Sequence, residues 1–453
     1  MKRLLVANRG EIAVRIIRTA HEMGLETVLA VSEADRTSLA AELSDCVSVI
    51  GPAQAGQSYL NSAAVIEAMH SSGADALHPG YGFLSEDAEF ARSVEAAGVT
   101  WVGPSPDSIA LMGNKAAARQ AAKDAGVPVL AGSDGAIAAE DDDVDAIAQS
   151  IGFPLLIKAS AGGGGRGIRI VESADKLEGE IQLAVAEAGA AFGDPTIYLE
   201  RFIDKARHVE VQILGDGVDV VHLFDRDCSL QRRQQKIVEE TPAPNLPGRL
   251  REQMLTAAVD LGRRCGYRGA GTVEFLYDEA RGEICFIEMN TRLQVEHPVT
   301  EMITGIDLVR EQLRIAGGEK LGYDQSAITL NGHAIEMRIN AENPALGFMP
   351  SPGIITEVRY PGGPGVRVDS GVVSGSAVSP YYDSLLAKVV VWHSDRPSAL
   401  ARGLRALSEL RVDGVETTTT YLQAVLAHQA VTGVTHHTKF LEQSADQLLR
   451  GTV

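Results

Sequence analysis

Phe286-Ile-Glu288-Met-Asn290-Thr-Arg292-Leu-Gln294-Val-Glu296-His297 carries an apolar strand straight into alternating acidic, amide and basic residues. Cys285, Phe286 and Ile287 read as a buried strand, and such a strand normally ends in turn residues. Here Glu, Asn, Arg, Gln and Glu follow at every second position, and on an extended backbone those five side chains share one face. One edge then offers two carboxylates, two amides and a guanidinium, a set suited to hard cations bridged to phosphate. Solvated edge strands also alternate charge, so the distinction lies in what the rest of the chain supplies.

Just upstream, Ala270-Gly-Thr-Val-Glu274-Phe-Leu-Tyr277 sets one carboxylate inside an apolar strand, before a hairpin that leads to Glu288. A buried carboxylate needs a partner, and a second carboxylate opposite it needs a cation between them. Glu274, Glu288 and Asn290 are therefore expected to form a Mg²⁺ or Mn²⁺ site shared with nucleotide phosphates.

Phe153-Pro-Leu-Leu-Ile-Lys158 is a strand ending in a lysine, followed by five glycines within the six residues 162–167. Consecutive glycines let main-chain N–H groups converge on phosphate oxygens without obstruction by a Cβ. The lysine precedes the glycines on a strand and GxxxxGK[ST] is absent, so a lid over a triphosphate is expected, not a P-loop. Next, Thr196–Ile203 reads as a strand, and alternation puts His208, Glu210 and Gln212 on one face that could line a cleft. Arg226 to Lys236, with Arg232 and Arg233, would supply the local positive charge that an anionic substrate needs.

Strand and helix patterns alternate over residues 1–112, with Leu4–Ala7, Thr27–Val31, Ala74–His78 and Thr100–Val102 as strands, giving a doubly wound α/β domain. The turn Asn8-Arg9-Gly10-Glu11 lacks GxGxxG, so a dinucleotide role is weak. His78-Pro-Gly80-Tyr81-Gly82-Phe83-Leu84-Ser85-Glu86 sits at the carboxyl end of a strand, where open α/β sheets place ligands. A new unit opens with a helix from Lys115 to Ala125, and residues 140–145 read as a solvated helix start. Towards the C-terminus, His333 to Asn340 is an alternating strand with charge on one face. The remainder reads as strands and two helices, with His436-His437 as surface.

A chain of 453 residues fits about three domains. Its net charge of −19 argues against general binding to nucleic acid or anionic membrane. The N-terminal apolar run is short for a signal peptide, and no stretch approaches ~18 uninterrupted apolar residues, which implies a soluble cytoplasmic protein. The four cysteines, Cys46, Cys228, Cys265 and Cys285, contain no CxxC pair and suggest reduced core or strand residues.

Taken together, Asn8-Arg-Gly-Glu-Ile-Ala, the 78–86 motif, the Lys158 glycine loop, Arg207-His-Val-Glu-Val-Gln212, Arg226-Asp-Cys-Ser, Gln231-Arg-Arg and Glu288 to Pro298 resemble biotin carboxylase, the ATP-grasp component of biotin-dependent carboxylases. The likeness spans essentially the whole chain. It implies an N-terminal α/β domain (1–112), an ATP-grasp domain (113–318) with a mobile lid at about 130–203, and a C-terminal α+β domain (319–453), commonly dimeric. By position, Lys115 and Lys158 would hold ATP phosphates, Glu200 and Ile203 the adenine, and His208 and Gln231 the ribose. Gly163, Gly164, Gly165, Gln234 and Leu276 would complete the nucleotide site, and Glu274, Glu288 and Asn290 would carry the metals. Arg292, Gln294, the Val295 backbone and Lys236 would surround bicarbonate, with Glu296 as its base, Arg338 stabilising the biotin enolate and Tyr81 beside the substrate. Asp225 and Gln234 stand at the ribose edge where this family more often carries Glu and His.

The implied chemistry is ATP- and bicarbonate-dependent carboxylation of biotin through carboxyphosphate. This is the first half-reaction of an acetyl-CoA or other acyl-CoA carboxylase. No Ala-Met-Lys-Met segment is present, so the biotin carboxyl carrier protein is expected to be separate, as is the carboxyltransferase that selects the acceptor. Two other readings fit parts of the pattern. Another ATP-grasp carboxylate–amine ligase would share the lid and metal ligands but not Arg292 to Glu296 with Arg338, and a regulatory protein that has lost catalysis would not keep the lysines and metal ligands.

Overall fold

Residues 1–133, 135, 137, 144–159, 168–192 and 195–450 are described by the structure, a computed structural model. The glycines at 162–167, including Gly163, Gly164 and Gly165, and most of the acidic stretch 140–145 lie outside the described residues.

The N-terminal sheet has five parallel strands in the spatial order Cys46–Gly51, Glu26–Ser32, Arg3–Val6, Ala76–His78, Thr100–Trp101. Alternate residues serve opposite faces. Leu4, Val6, Leu29 and Val31 pack with the helix Gly10–Glu22, while Leu5, Ala7, Val28, Ala30 and Leu77 pack with the helices Ser62–Ser72 and Ala88–Ala96. The chain winds outward in both directions from Arg3–Val6, so a crevice opens at the carboxyl ends of Arg3–Val6 and Ala76–His78. There the Asn8 amide donates to the carbonyls of Pro79 and Tyr81, each at 2.7 Å, and fixes the two loops edge to edge.

A three-stranded antiparallel sheet, Ile168–Val171, Leu155–Ala159, Ile197–Arg201, carries the helices Val144–Ile151 and Ala174–Phe192 around its own small core. The third sheet holds eight antiparallel strands, in the order Glu283–Asn290, Arg268–Asp278, Ala206–Asp216, Val220–Arg232, Gln235–Thr241, His333–Asn340, Leu385–His393, Val366–Ser370. It runs unbroken from the hairpin of Arg268–Asp278 and Glu283–Asn290 into the C-terminal region, and this brings Glu274, Lys236 and Arg338 onto one sheet. Among the described residues no helix is long and apolar enough to cross a membrane.

Several local expectations change. The strand ends at Asn290, residues 291–296 form a loop, and Glu296 sits at the N-terminus of the helix His297–Thr304. Ile287 is exposed, not buried, because a bulge pairs Glu274 with Glu288 and Phe275 with Phe286, leaving Ile287 as the extra residue. After 319 the described chain contains five α-helical segments instead of two, from Arg396–Glu409 to Ala445–Arg450. His436 and His437 are both buried, and His436 Nε2 lies 3.7 Å from Asp227, itself fixed by Arg207 at 2.6 Å.

Glu240 locks the C-terminal layer to the central sheet. It accepts from His333 Nε2 at 2.7 Å and from Arg396 Nε at 2.6 Å. Burial alone would raise its carboxyl, but hydrogen bonds from His333 and Arg396 outweigh it and hold the group at about 2. Because the folded value is depressed, the stabilisation is present above the unfolded carboxyl's value and is lost as pH falls from about 4.5 towards 2. Glu240→Gln, which leaves Arg396 buried with an incomplete partner, is expected to cost about 3 kcal/mol in urea unfolding at neutral pH. Its deficit relative to the parent should shrink at pH 2–3.

Candidate active site

The five-stranded and eight-stranded sheets enclose a cavity of about 1120 Å³. Its wall includes Arg9 and Tyr81 from the N-terminal loops, Leu276 and Ile287 from the bulged hairpin, and Tyr381 and Tyr382 from the C-terminal region. Of the residues singled out above, Tyr81, His208, Gln231, Gln234, Lys236, Glu274, Leu276, Glu288, Asn290, Arg292, Gln294, Val295 and Arg338 line it.

At its floor lies Lys236, in the strand after a two-residue turn in which Arg233 and Gln234 both take positive φ, 49° and 65°. The ammonium donates to Glu210 at 2.6 Å, Glu274 at 3.0 Å and Glu296 at 2.7 Å, one carboxylate for each of its three protons. Burial works against its charge, yet these carboxylates drive its pKa well above the ordinary lysine value. Glu296 is wholly buried behind the wall. Its second oxygen accepts from Arg338 Nη2 at 2.9 Å, and the same Nη2 contacts Glu239. Burial pushes the Glu296 carboxyl up, but Lys236 and Arg338 together bring it below its usual range.

Glu274 is saturated with donors. Lys236, Asn290 Nδ2 at 2.9 Å and Gln294 Nε2 at 3.1 Å meet one oxygen, and His208 Nε2 lies 3.1 Å from the other. His208 is pushed up to about 9, since Glu274 more than offsets its burial. Its other nitrogen lies 2.9 Å from the Gln231 amide. Across the hairpin Glu288 is the register partner of Glu274, and among the described residues no donor reaches it. Burial and the neighbouring Glu274 charge raise its pKa. An unmatched carboxylate facing a second carboxylate, with the Asn290 amide beside them, is the donor set a divalent cation fits.

The loop 291–296 turns Arg292 towards Asn290 at 2.9 Å, Gln294 at 3.0 Å and Glu86 at 2.8 Å. The partners of Glu296 are instead Lys236 and Arg338, so the expectation that Glu296 shares a face with Arg292 fails because the backbone is not extended past Asn290. Arg226 does not supply charge to the cavity either. It is fully buried and spends its donors on Glu210 at 2.6 Å, Gln212 at 2.7 Å, Thr300 at 2.9 Å and Thr272 at 3.1 Å. Arg232 is paired with Glu342 at 2.9 Å. Asp225 does not line the cavity; it is buried and holds Arg251 at 2.9 Å and the Ala243 N–H at 2.8 Å.

Other expected residues stand apart from the cavity wall. Lys158 and Glu200 pair with each other across the three-stranded sheet, and Arg119 lies 3.9 Å from Glu200. Ile203 follows that sheet's last strand. Lys115 is exposed at the start of the helix Lys115–Asp124, near enough for its charge to act on Glu288. Residues not foreseen include Glu210 as the anchor of both Lys236 and Arg226, Glu86 as the anchor of Arg292, and Glu239 beside Arg338. Glu86 was present in the 78–86 motif, whereas Glu239 sits in a strand whose neighbours only the sheet order reveals.

A separate three-stranded sheet whose Leu156 reaches the cavity, together with an antiparallel sheet bearing paired carboxylates, defines an ATP-grasp enzyme, and residues 114–323 match the carbamoyl-phosphate synthase L chain, ATP binding domain. Residues 1–109 match the biotin carboxylase N-terminal domain and residues 336–443 the biotin carboxylase C-terminal domain. The chain belongs to the biotin carboxylase family. It is 49% identical to Biotin carboxylase 1 of Bacillus subtilis (strain 168), covering 98% of each chain. The solved biotin carboxylase component of pyruvate carboxylase superimposes with a TM-score of 0.88 at 44% identity, covering 99% of each chain. The biotin carboxylase domain dimer of Hydrogenobacter thermophilus 2-oxoglutarate carboxylase, solved with MgADP, ADP and bicarbonate, superimposes with a TM-score of 0.89 at 45% identity, covering 99% of this chain and 98% of that one.

Proposed function

We propose that this protein binds ATP and bicarbonate in the cavity and carboxylates biotin presented by a separate biotin carboxyl carrier protein, as the first half-reaction of a biotin-dependent carboxylase. A distinct carboxyltransferase then sets the acceptor. The relatives fit this division of labour, since their names carry pyruvate and 2-oxoglutarate as acceptors on one shared architecture. The protein acts as a ligase in the cytoplasm and as a homodimer. Residues 1–112, 113–318 and 319–453 serve as its N-terminal, ATP-grasp and C-terminal domains.

The observation that carries this reading is Glu296 held between Lys236 and Arg338. Two cations on a cavity wall attract a small anion, and a carboxylate immediately behind them can take its proton once the anion displaces one of their hydrogen bonds. Bicarbonate held by Arg292, Gln294 and the Val295 N–H, and deprotonated by Glu296, attacks the γ-phosphate of ATP to give carboxyphosphate and ADP. Carboxyphosphate collapses to CO₂ and phosphate, the phosphate takes the ureido proton of biotin, and Arg338 holds the resulting enolate beside Tyr81. Glu274, Glu288 and Asn290 would hold Mg²⁺ or Mn²⁺, which supplies charge neutralisation for the phosphates. Lys115, Lys158 and the glycines 163–165 are assigned to the phosphates, Glu200, Ile203 and Leu276 to the adenine, and His208, Gln231 and Gln234 to the ribose. The Lys158–Glu200 pair supports this in part, because a partly exposed lysine already matched to a carboxylate can be handed to a phosphate at little desolvation cost.

The test is a carboxylation assay with labelled bicarbonate, Mg²⁺-ATP and free or carrier-borne biotin. ATP cleavage should require bicarbonate, label should enter biotin in acid-labile form, and chelation of divalent cations should stop both. ATP cleavage indifferent to bicarbonate would reject the proposal.

A further inference from the structure

Lys388 is a fully buried ammonium in the strand Leu385–His393, away from the cavity wall. Its Nζ donates to the main-chain oxygen of Val295 at 2.9 Å and pairs with Glu11 Oε2 at 3.0 Å. Glu11 lies in the first turn of the helix Gly10–Glu22 and accepts from the Tyr81 hydroxyl. An ammonium of the C-terminal region, a carboxylate of the N-terminal domain and a peptide of the 291–296 loop thus meet at one point. Such a buried pair seldom adds net stability, because desolvation offsets the attraction. Its placement needs another reason.

That reason lies in peptide geometry. In a trans peptide the C=O and the following N–H point in opposite directions. Lys388 draws the Val295 carbonyl inward, which turns the Glu296 N–H the other way. The preceding carbonyl is held likewise, since His297 Nδ1 lies 2.7 Å from the Gln294 oxygen. His297 is wholly buried, and burial keeps its imidazole neutral, so Nδ1 carries the proton and donates it. The Val295 N–H is turned outward in the same manner. Gln294 and Val295 line the cavity, whereas Lys388 and His297 do not.

We propose that Lys388, held by Glu11, is a positioning residue that orients the 294–296 peptides so that their N–H groups meet bicarbonate and the Glu296 carboxylate keeps its place. This rests on the assignment of bicarbonate to that loop made above. Lys388→Met removes the donor with little change in volume, and Glu11→Gln/Lys388→Met also removes the carboxylate that would be stranded. Both variants are expected to raise the KM for bicarbonate by about ten-fold or more, in line with the loss of a charge-assisted hydrogen bond. ATP affinity measured without bicarbonate should be unchanged. Melting temperature should fall in the single variant and recover in the double variant, while the KM defect persists in both.

A pair with only a structural role would give recovery of both properties in the double variant. A wild-type bicarbonate KM in either folded variant, or failure of both to fold, overturns the proposal. Failure of the parent assignment looks different, since the unaltered protein would then cleave ATP without requiring bicarbonate.

Discussion

Glu288→Gln is expected to reduce Mg²⁺-dependent ATP turnover by at least ~100-fold while leaving the ligand-free protein as stable as the parent or slightly more so. The two halves of this expectation have one cause. Without a cation, Glu288 faces Glu274 across the hairpin, and among the described residues it has no donor of its own. Burial and the adjacent charge both oppose its ionisation. An amide removes that repulsion, so melting temperature should not fall. In the proposed metal site the same carboxylate would change from a liability into a ligand, and an amide oxygen could not replace its charge in neutralising a triphosphate. Glu274 cannot compensate alone, because Lys236, Asn290, Gln294 and His208 already occupy its oxygens. Thermal unfolding and Mg²⁺-ATP titration on one preparation check both halves. Wild-type ATP turnover would remove Glu288 from the metal set, and a marked loss of stability would show that its carboxylate has a structural partner.

The opposition of Glu274 and Glu288 was legible because it depends on local pattern: two apolar strands, one hairpin, and a carboxylate in each at nearly the same distance from the turn, the one-residue difference being taken up by the bulge. The bulge at Ile287 was not legible, since Ile284-Cys-Phe-Ile287 is a continuous apolar run in which a one-residue shift of the alternation leaves no mark. Nor was the end of the strand at Asn290, because polar residues at every second position suit an extended edge and a loop around a charged centre equally well. Arg226 shows the other limit. In sequence it belongs to a basic cluster, but strand pairing places it opposite Glu210, beneath the cavity rather than on it. His436 became buried for a similar reason, through an Asp227 more than two hundred residues earlier in the chain. The resemblance carried residue identities across these gaps, while the partners that hold those residues, Glu210, Glu239, Glu86 and Lys388, came only from the order of strands in the eight-stranded sheet and its contact with the N-terminal domain.

Glu296→Gln is the second large effect, and it separates chemistry from scaffolding. In the parent, Glu296 accepts from Lys236 at 2.7 Å and from Arg338 at 2.9 Å, and those cations hold it ionised. The amide keeps the shape and one acceptor but cannot take a proton. Bicarbonate is a poor nucleophile until its proton leaves, and a positioned base contributes on the order of 10²–10⁴-fold, so bicarbonate-dependent ATP cleavage and biotin carboxylation should fall together by that factor. The loss of charge should be borne locally. Lys236 keeps Glu210 at 2.6 Å and Glu274 at 3.0 Å, and Arg338 keeps Glu239, whose carboxyl is raised by burial and by the Glu296 charge and so ionises more readily once that charge is gone. Stability is therefore expected to drop by only about 1–2 kcal/mol, less than for a buried charge left without any partner. ATP affinity should hold, because the residues assigned to the nucleotide are untouched. If Glu296 serves only to brace Lys236 and Arg338, the variant will lose melting temperature and ATP affinity roughly in step with rate; if it is the base, rate alone collapses, and a retained carboxylation rate would refute that role outright.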